Sequence, residues 1–189
     1  MTPSSLFRRS GAAQRGTTAV EFGLCSVVFF VFVFFLLELA RVMYLWNTMT
    51  DTTRRIARVA SYSDPADAAA IRLAAPFRPD GTLPLGNGIG AANVALSYLN
   101  NAMAPVAPLP CPAQNLINCA ANPDGASCVR FVQVRLCANG AGACDPLVYT
   151  PLFLPHALVP WIFNFPSFAT LTPAGTLGFR PGAADACST

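Results

Sequence analysis

Seven cysteines, one histidine and nine carboxylates are the side chains that could support chemistry in this chain. Six of the cysteines lie in the C-terminal two thirds and form the set Cys111, Cys119, Cys128, Cys137, Cys144 and Cys187. This set contains no C-x-x-C pair, and His156 has no second histidine with which to share a metal. An even number of cysteines instead predicts a disulfide framework, whose pairing the sequence does not choose.

The sequence offers no other catalytic constellation. All 12 basic residues are arginine, and neither G-x-S-x-G nor G-x-G-x-x-G occurs. The acids of the C-terminal part fall mostly in turns or at helix caps. We therefore predict that the chain is not an enzyme and has no cofactor, no metal and no small-molecule substrate. The alternative is a membrane-anchored enzyme that uses His156.

Composition places the chain among membrane proteins. Its 189 residues are 53% hydrophobic and 11% charged, against about 25% charged in a typical soluble domain. The net charge of +3 is local, because Arg8, Arg9 and Arg15 all precede the first acid, Glu21. A disordered chain and a nucleic-acid-binding module are both disfavoured by this pattern.

An uninterrupted apolar run indicates a membrane anchor. Phe22 to Leu37 carries no charge, and with its flanks, from Thr17 to Ala40, it exceeds the roughly 20 residues that cross a bilayer. In lipid the backbone must bond internally, so a helix is expected. The preceding arginines predict a cytoplasmic N-terminus and a single-pass protein of the inner membrane. A cleaved secretory signal is the alternative, but the run continues into charged helical sequence.

The helical pattern extends well beyond the apolar run. Apolar positions recur at helical spacing at Val42, Leu45, Met49, Ile56 and Val59, and no proline or glycine occurs between residues 38 and 64. The sequence therefore predicts one helix from Thr17 to Tyr62, amphipathic in its second half. Asp64-Pro65 predicts the start of a new element, with aspartate as the N-cap.

Residues 63–189 form the predicted C-terminal domain, which is rich in cysteine and proline. Short helices are predicted at Ala66–Ala75 and Ala91–Met103, and the best strand is Val129–Cys137, with Val132, Val134 and Leu136 on one face. A second strand is predicted at Leu147–Leu154. Turns are predicted at Asn87-Gly88 and at Asn139-Gly140, where a hairpin could close. The fold class is a long membrane helix followed by a small disulfide-bonded α+β domain.

The aromatic stretch 152–168, LFLPHALVPWIFNFPSF, allows two interpretations. Its three prolines argue against a second membrane helix. We favour packing in the core of the C-terminal domain, and the alternative is an exposed surface that contacts neighbouring subunits.

The N-terminal third resembles a known family. Arg15-Gly16-Thr17-Thr18-Ala19-Val20-Glu21-Phe22 is similar to prepilin leader junctions, in which cleavage follows glycine and glutamate lies five residues beyond. Together with Arg8-Arg9, the apolar run, Glu38, Arg41 and the stretch Ala57-Arg58-Val59-Ala60, it resembles the TadE-like family of tight-adherence (Flp-type) pilus proteins. The resemblance covers residues 8 to 62.

This resemblance implies a function in assembly. Residues 1–16 would be a basic leader, removed between Gly16 and Thr17, and residues 17–62 the pilin-like helix. Glu21, followed by Phe22, would meet the N-terminal amine of an adjacent subunit and set subunit register. The implied partners are the prepilin peptidase, other pilins and the pilus-assembly platform, and the implied role is that of a minor pilin (pseudopilin). The competing hypothesis is an uncleaved bitopic protein with a periplasmic binding domain.

Overall fold

A computed structural model describes residues 16–75, 77–140, 144–152 and 164–182. Helix α1 spans Thr17–Tyr62, and a single 3-10 turn, Pro65–Asp67, leads into helix α2, Ala68–Arg72. A second such turn, Ala91–Asn93, precedes strand β1, Val94–Leu99. The remaining described elements are helix α3, Pro112–Ala121, strand β2, Phe131–Leu136, and strand β3, Ala169–Pro173. The α+β class predicted from sequence is confirmed.

Helix α1 runs without interruption for 46 residues, which confirms the single predicted helix. At 1.5 Å per residue it is about 69 Å long. Its two halves have different surroundings. Residues 17–37, the apolar segment, are almost entirely exposed, whereas the second half buries one face that includes Leu45, Met49, Ile56 and Ala60. The folded unit therefore surrounds only the C-terminal half of the helix.

The three strands form one antiparallel sheet in the order β1-β2-β3. Val134 lies at its centre, opposite Leu96 of β1 and Thr170 of β3. Because side chains alternate along a strand, Val132, Val134 and Leu136 share one face, and all three are buried. The face predicted from the sequence of β2 is thus confirmed.

The buried face of the sheet packs against α1 and forms the core. The cluster joins Leu45, Met49 and Ile56 of the helix to Val132 and Val134 of the sheet. Polar contacts also cross this interface, since the Thr170 hydroxyl donates to Thr53 Oγ1 at 2.9 Å. Nonpolar burial of this kind contributes roughly 25 cal/mol per Å², so the second half of α1 is an integral part of the fold.

The C-terminal end of α1 is closed by the chain that follows β3. The Ser61 carbonyl accepts hydrogen bonds from the amides of Gly175, at 3.0 Å, and Leu177, at 3.1 Å, which satisfies a carbonyl that the helix itself leaves unpaired. Gly178 adopts φ +86°, and a Cβ there would lie 2.7 Å from the Asp64 amide nitrogen. Asp64 accepts from the Ala66 amide at 2.9 Å and Pro65 follows it, as predicted.

The helix predicted at Ala91–Met103 is wrong beyond its first residues. A 3-10 turn covers Ala91–Asn93 and strand β1 follows. The alanines suggested a helix, but pairing with β2 decides the conformation because Val94 and Tyr98 gain burial on the sheet face. Helix α3 and strand β3 were not predicted.

The strand predicted at Leu147–Leu154 is also absent from its described part, residues 147–152. Only Val148 makes a bridge, with Asn164, and residues 153 and 154 lie outside the described residues. Asn139-Gly140 does form a turn, but it closes no hairpin, since β2 pairs next with the distant β3. Asn87-Gly88 is a turn in which both residues have positive φ.

Two disulfide bonds each close a short loop, one before β2 in the sequence and one after it. Cys119, on α3, bonds to Cys128, and Cys137 bonds to Cys144, each with a Cα–Cα distance of 4.8 Å. Cys111 is also disulfide-bonded, and Cys187 lies outside the described residues. The two bonds confirm disulfide formation, which the even cysteine count predicted. Each of them joins two cysteines that follow one another along the chain.

Removing the disulfide that holds α3 gives a direct test of its contribution. We expect the double variant Cys119→Ser/Cys128→Ser to lose about 2–3 kcal/mol of unfolding free energy, because a short loop is no longer closed in the unfolded chain. Urea unfolding of the full chain in detergent, followed by tryptophan fluorescence, measures this. Cys25→Ser is the matched control, since Cys25 is free and exposed. An equal loss of unfolding free energy in this control would contradict the contribution assigned to the Cys119–Cys128 bond.

Candidate functional site: the anchor helix and its junction with the C-terminal domain

The N-terminal end of α1 presents the residues that the sequence singled out. Gly16 is the N-cap residue, with φ −87° and ψ −34°. Apart from its chain neighbours, no described residue has an atom within 4 Å of the position a Cβ would take. Glu21 and Phe22 follow on the exposed helix, Phe22 with 74% of its surface accessible. The structure thus places Gly16, Thr17, Glu21 and Phe22 together at the exposed N-terminal end of α1.

The side chains of the apolar segment are exposed along almost its whole length. Its most apolar window has a mean hydropathy of 2.6 and none of it is buried, and phenylalanines such as Phe29 and Phe35 are more than half exposed. Among the described residues, α1 is the one helix long and apolar enough to cross a membrane. Residues 17–37 alone extend about 31 Å, close to the thickness of a hydrocarbon core.

The apolar segment meets the C-terminal domain at a buried ion pair. Arg41 Nη1 lies 3.1 Å from Glu38 Oε1, one helical turn away, and both side chains are at most 8% exposed. The guanidinium also donates to the carbonyl oxygens of Leu85, at 2.9 Å, and Thr150, at 2.9 Å. Its central carbon lies 5.1 Å from the ring centroid of Tyr149, within cation–π range.

The Glu38 carboxylate is equally well supplied with partners. Besides Arg41, it accepts hydrogen bonds from the Tyr149 hydroxyl and from the Leu152 amide, the latter at 3.2 Å to Oε2. We call Glu38, Arg41 and Tyr149 the junction cluster. Buried charges are tolerated only when paired and hydrogen-bonded, and this cluster meets both conditions.

Burial shifts the titration of Tyr149. Desolvation, followed by its hydrogen bond to Glu38, raises the pKa of Tyr149 from 10.0 to about 12. The neutral phenol therefore remains a donor to Glu38 at any physiological pH. Since the folded pKa is the higher one, the stabilising contribution is complete below pH 10 and is lost as the pH rises toward 12.

Two of the three residues of this cluster were recognised from the sequence. Glu38 and Arg41 were named as part of the family pattern, and their spacing from Leu45 puts them on the same helix face as the apolar positions. This shared helix face was the feature of the sequence that could have predicted the burial of both charges. Tyr149 and the two carbonyl acceptors, those of Leu85 and Thr150, lie in irregular segments 44 to 109 positions from Arg41. No sequence pattern connected them to the helix.

Aromatic rings line the junction on the side of the C-terminal domain. Trp46 contacts Phe168 edge-on, with centroids 5.4 Å apart, and Phe165 lies 5.5 Å from Tyr149. Phe165 and Phe168 are buried, which agrees with core packing for the described end of the aromatic stretch. Residues 153–163, including His156, lie outside the described residues.

Potential metal ligands are not clustered among the described residues. No group of three or more His, Cys, Asp or Glu that could hold a metal occurs among residues the structure describes. Glu38, the most buried carboxylate of α1, is engaged by three donors. The junction cluster therefore joins the helix to the domain and is not arranged for acid–base chemistry.

One comparison with known proteins matches most of the long helix. A family model described as TadE-like protein matches residues 16–58. The match begins at Gly16 and stays within α1, so it covers both the apolar segment and the docked half. This match supports the interpretation that the chain is a component associated with a Tad pilus. A search of curated proteins and a search of solved structures gave no match.

Breaking the junction cluster tests its structural role. We expect Arg41→Met to lower the unfolding free energy by about 3–5 kcal/mol, because the Glu38 carboxylate is then buried without its cation. Urea unfolding of the detergent-solubilised chain gives this value. Replacing both charges, Glu38→Leu/Arg41→Met, should recover part of the loss.

Arg55→Met is the control on the same helix. Arg55 pairs with Asp51 at 2.6 Å, but both side chains are about half exposed, so its loss should change the unfolding free energy by less than about 1 kcal/mol. Equal effects of Arg41→Met and Arg55→Met would refute the role assigned to the junction cluster.

Proposed function

We propose that this chain, whose N-terminal helix carries a TadE-like domain, is a minor pilin-like component of tight-adherence pilus biogenesis. One observation carries the proposal. The family match coincides with a continuous helix that is bare over its first half and docked to a domain over its second. A subunit assembled through its helix needs both properties, because the bare half must pack against neighbours.

The proposal includes a single-pass anchor in the inner membrane. The apolar segment has the length to span the hydrocarbon core, and Arg8, Arg9 and Arg15 favour a cytoplasmic N-terminus. The C-terminal domain would then lie in the periplasm. The disulfide bonds Cys119–Cys128 and Cys137–Cys144 support this orientation, since disulfides persist in that oxidising compartment.

Processing would occur between Gly16 and Thr17. Gly16 is exposed at the helix start and no described residue crowds it, so a peptidase could reach it. Cleavage would remove the basic leader and leave an amine at Thr17, about one helical turn from Glu21. A carboxylate costs free energy in an apolar environment, and pairing Glu21 with the amine of a neighbouring subunit would offset that cost and set register.

Processing can be tested with a pair of glycine variants. We expect Gly16→Leu to keep the leader, because cleavage follows glycine in the leader junctions that this sequence resembles, whereas Gly23→Leu should be processed normally. No described residue crowds the Cβ position of either glycine, so neither change should disturb the described fold. The measurement is the N-terminus of the membrane-isolated protein, by sequencing or intact mass.

The same measurement distinguishes the competing hypotheses. A wild-type chain that starts at Thr17 supports the proposal. A start at Met1 or Thr2, in cells that contain the peptidase, indicates an uncleaved bitopic protein. A start beyond Ala40 indicates an ordinary signal peptide, and the pilus assignment would fall.

Glu21 can be tested separately from cleavage. We expect Glu21→Gln to be processed at Gly16 but depleted from sheared pili, because the neutral amide cannot pair with a subunit amine. Glu21→Asp, which keeps the charge, is the control and should retain part of the incorporation. Immunoblots of membrane and pilus fractions measure both. Normal incorporation of Glu21→Gln would refute the register role.

A further inference from the structure

The second half of α1 has a surface turned away from the sheet. Its buried face contains Leu45, Met49 and Ile56, and the opposite side exposes arginines. We call this surface, formed by Asp51, Arg54, Arg55 and Arg58, the open face. These four residues recur over two turns of helix, so they form one continuous patch.

The open face carries an excess of positive charge. Three arginines against one aspartate leave +2. Asp51 is already paired with Arg55, at 2.6 Å. Arg54 and Arg58 are exposed and make no salt bridge with any residue that the structure describes. No carboxylate of this helix is thus left to neutralise them.

The open face continues the bare surface of the apolar segment. Ala40, Tyr44 and Asn47 lie on the same side of the helix, at steps of three or four residues, and all are exposed. A second helix that packs along the apolar segment therefore meets the open face next. Packing there withdraws the arginines from water, which increases the strength of every charge interaction.

We propose that the open face docks the acidic helix face of a different membrane-anchored subunit, and not a second copy of this chain. This inference rests on the proposed function, because it names the neighbour in that assembly. Two copies would bring +2 against +2, and the single Asp51 of each is engaged with its own Arg55. Like charges brought together are repulsive, whereas an excess of carboxylates on the partner gives complementarity.

The partner can be identified by photo-crosslinking in the native envelope. The full-length chain carries a photoreactive amino acid at Asn47, which is exposed beside the open face. Arg54→Glu/Arg58→Glu reverses the charge, and Arg54→Lys/Arg58→Lys keeps it. Arg78→Glu/Arg130→Glu is the matched control, because it makes the same charge change at exposed arginines of the C-terminal domain.

We expect the wild type, the lysine variant and the matched control to crosslink to a different chain, through a helical peptide with an excess of aspartate and glutamate. Arg54→Glu/Arg58→Glu should reduce this product about tenfold, since attractive pairs become repulsive. When it is expressed together with the wild type, crosslinks between the two copies should appear that the wild type alone does not form.

Three results would overturn the inference: crosslinking of the wild type mainly to itself, no crosslink from position 47, or an unchanged yield after charge reversal. The N-terminus of the same samples separates this failure from that of the proposed function. A chain that starts at Thr17 but crosslinks to itself overturns only the choice of partner. A chain that starts at Met1 overturns the proposed function as well.

Discussion

The buried pair of Glu38 and Arg41 determines where the long helix changes from an anchor into part of a domain. Both charges are out of water, and each would be costly alone. Arg41 gains two loop carbonyls and Glu38 gains a phenol and an amide. These partners come from segments far apart in sequence, so the pair fixes two loops against one turn of helix. The C-terminal domain is therefore fixed at one position along α1, directly after the apolar segment.

This fixed position along α1 matters because the two halves of the helix require different surroundings. The second half obtains its stability from the sheet, through residues such as Met49 and Ile56. The first half is almost entirely exposed, its phenylalanines included, as far as the described residues show. It needs lipid or other helices around it. If the domain slid along the helix, charged residues would enter the apolar region or apolar residues would meet water, and either displacement is unfavourable.

The sequence predicted α1 to its terminal residues because local signals mark both ends. No proline and only one glycine interrupts it, and Asp64-Pro65 begins the next element. Strand β1 was assigned wrongly since its conformation depends on β2, about 40 residues away. For the same reason β3 was missed, and Tyr149 could not be connected to Glu38. Of the candidate site, sequence supplied the helix residues, and only the fold supplied their partners.

The extent of the family match follows from these constraints. It ends within α1, at residue 58, and in the proposed function this helix is the part that would pack against other subunits. The C-terminal domain has only to hold its loops on the junction cluster and bury one face of a sheet, conditions that many sequences satisfy. The open face lies within the matched stretch but serves a different requirement. In the proposed assembly, its unbalanced arginines would oppose contact between identical copies, as a minor subunit requires. Selectivity for a neighbour then arises from charge on the same helix that supplies the anchor.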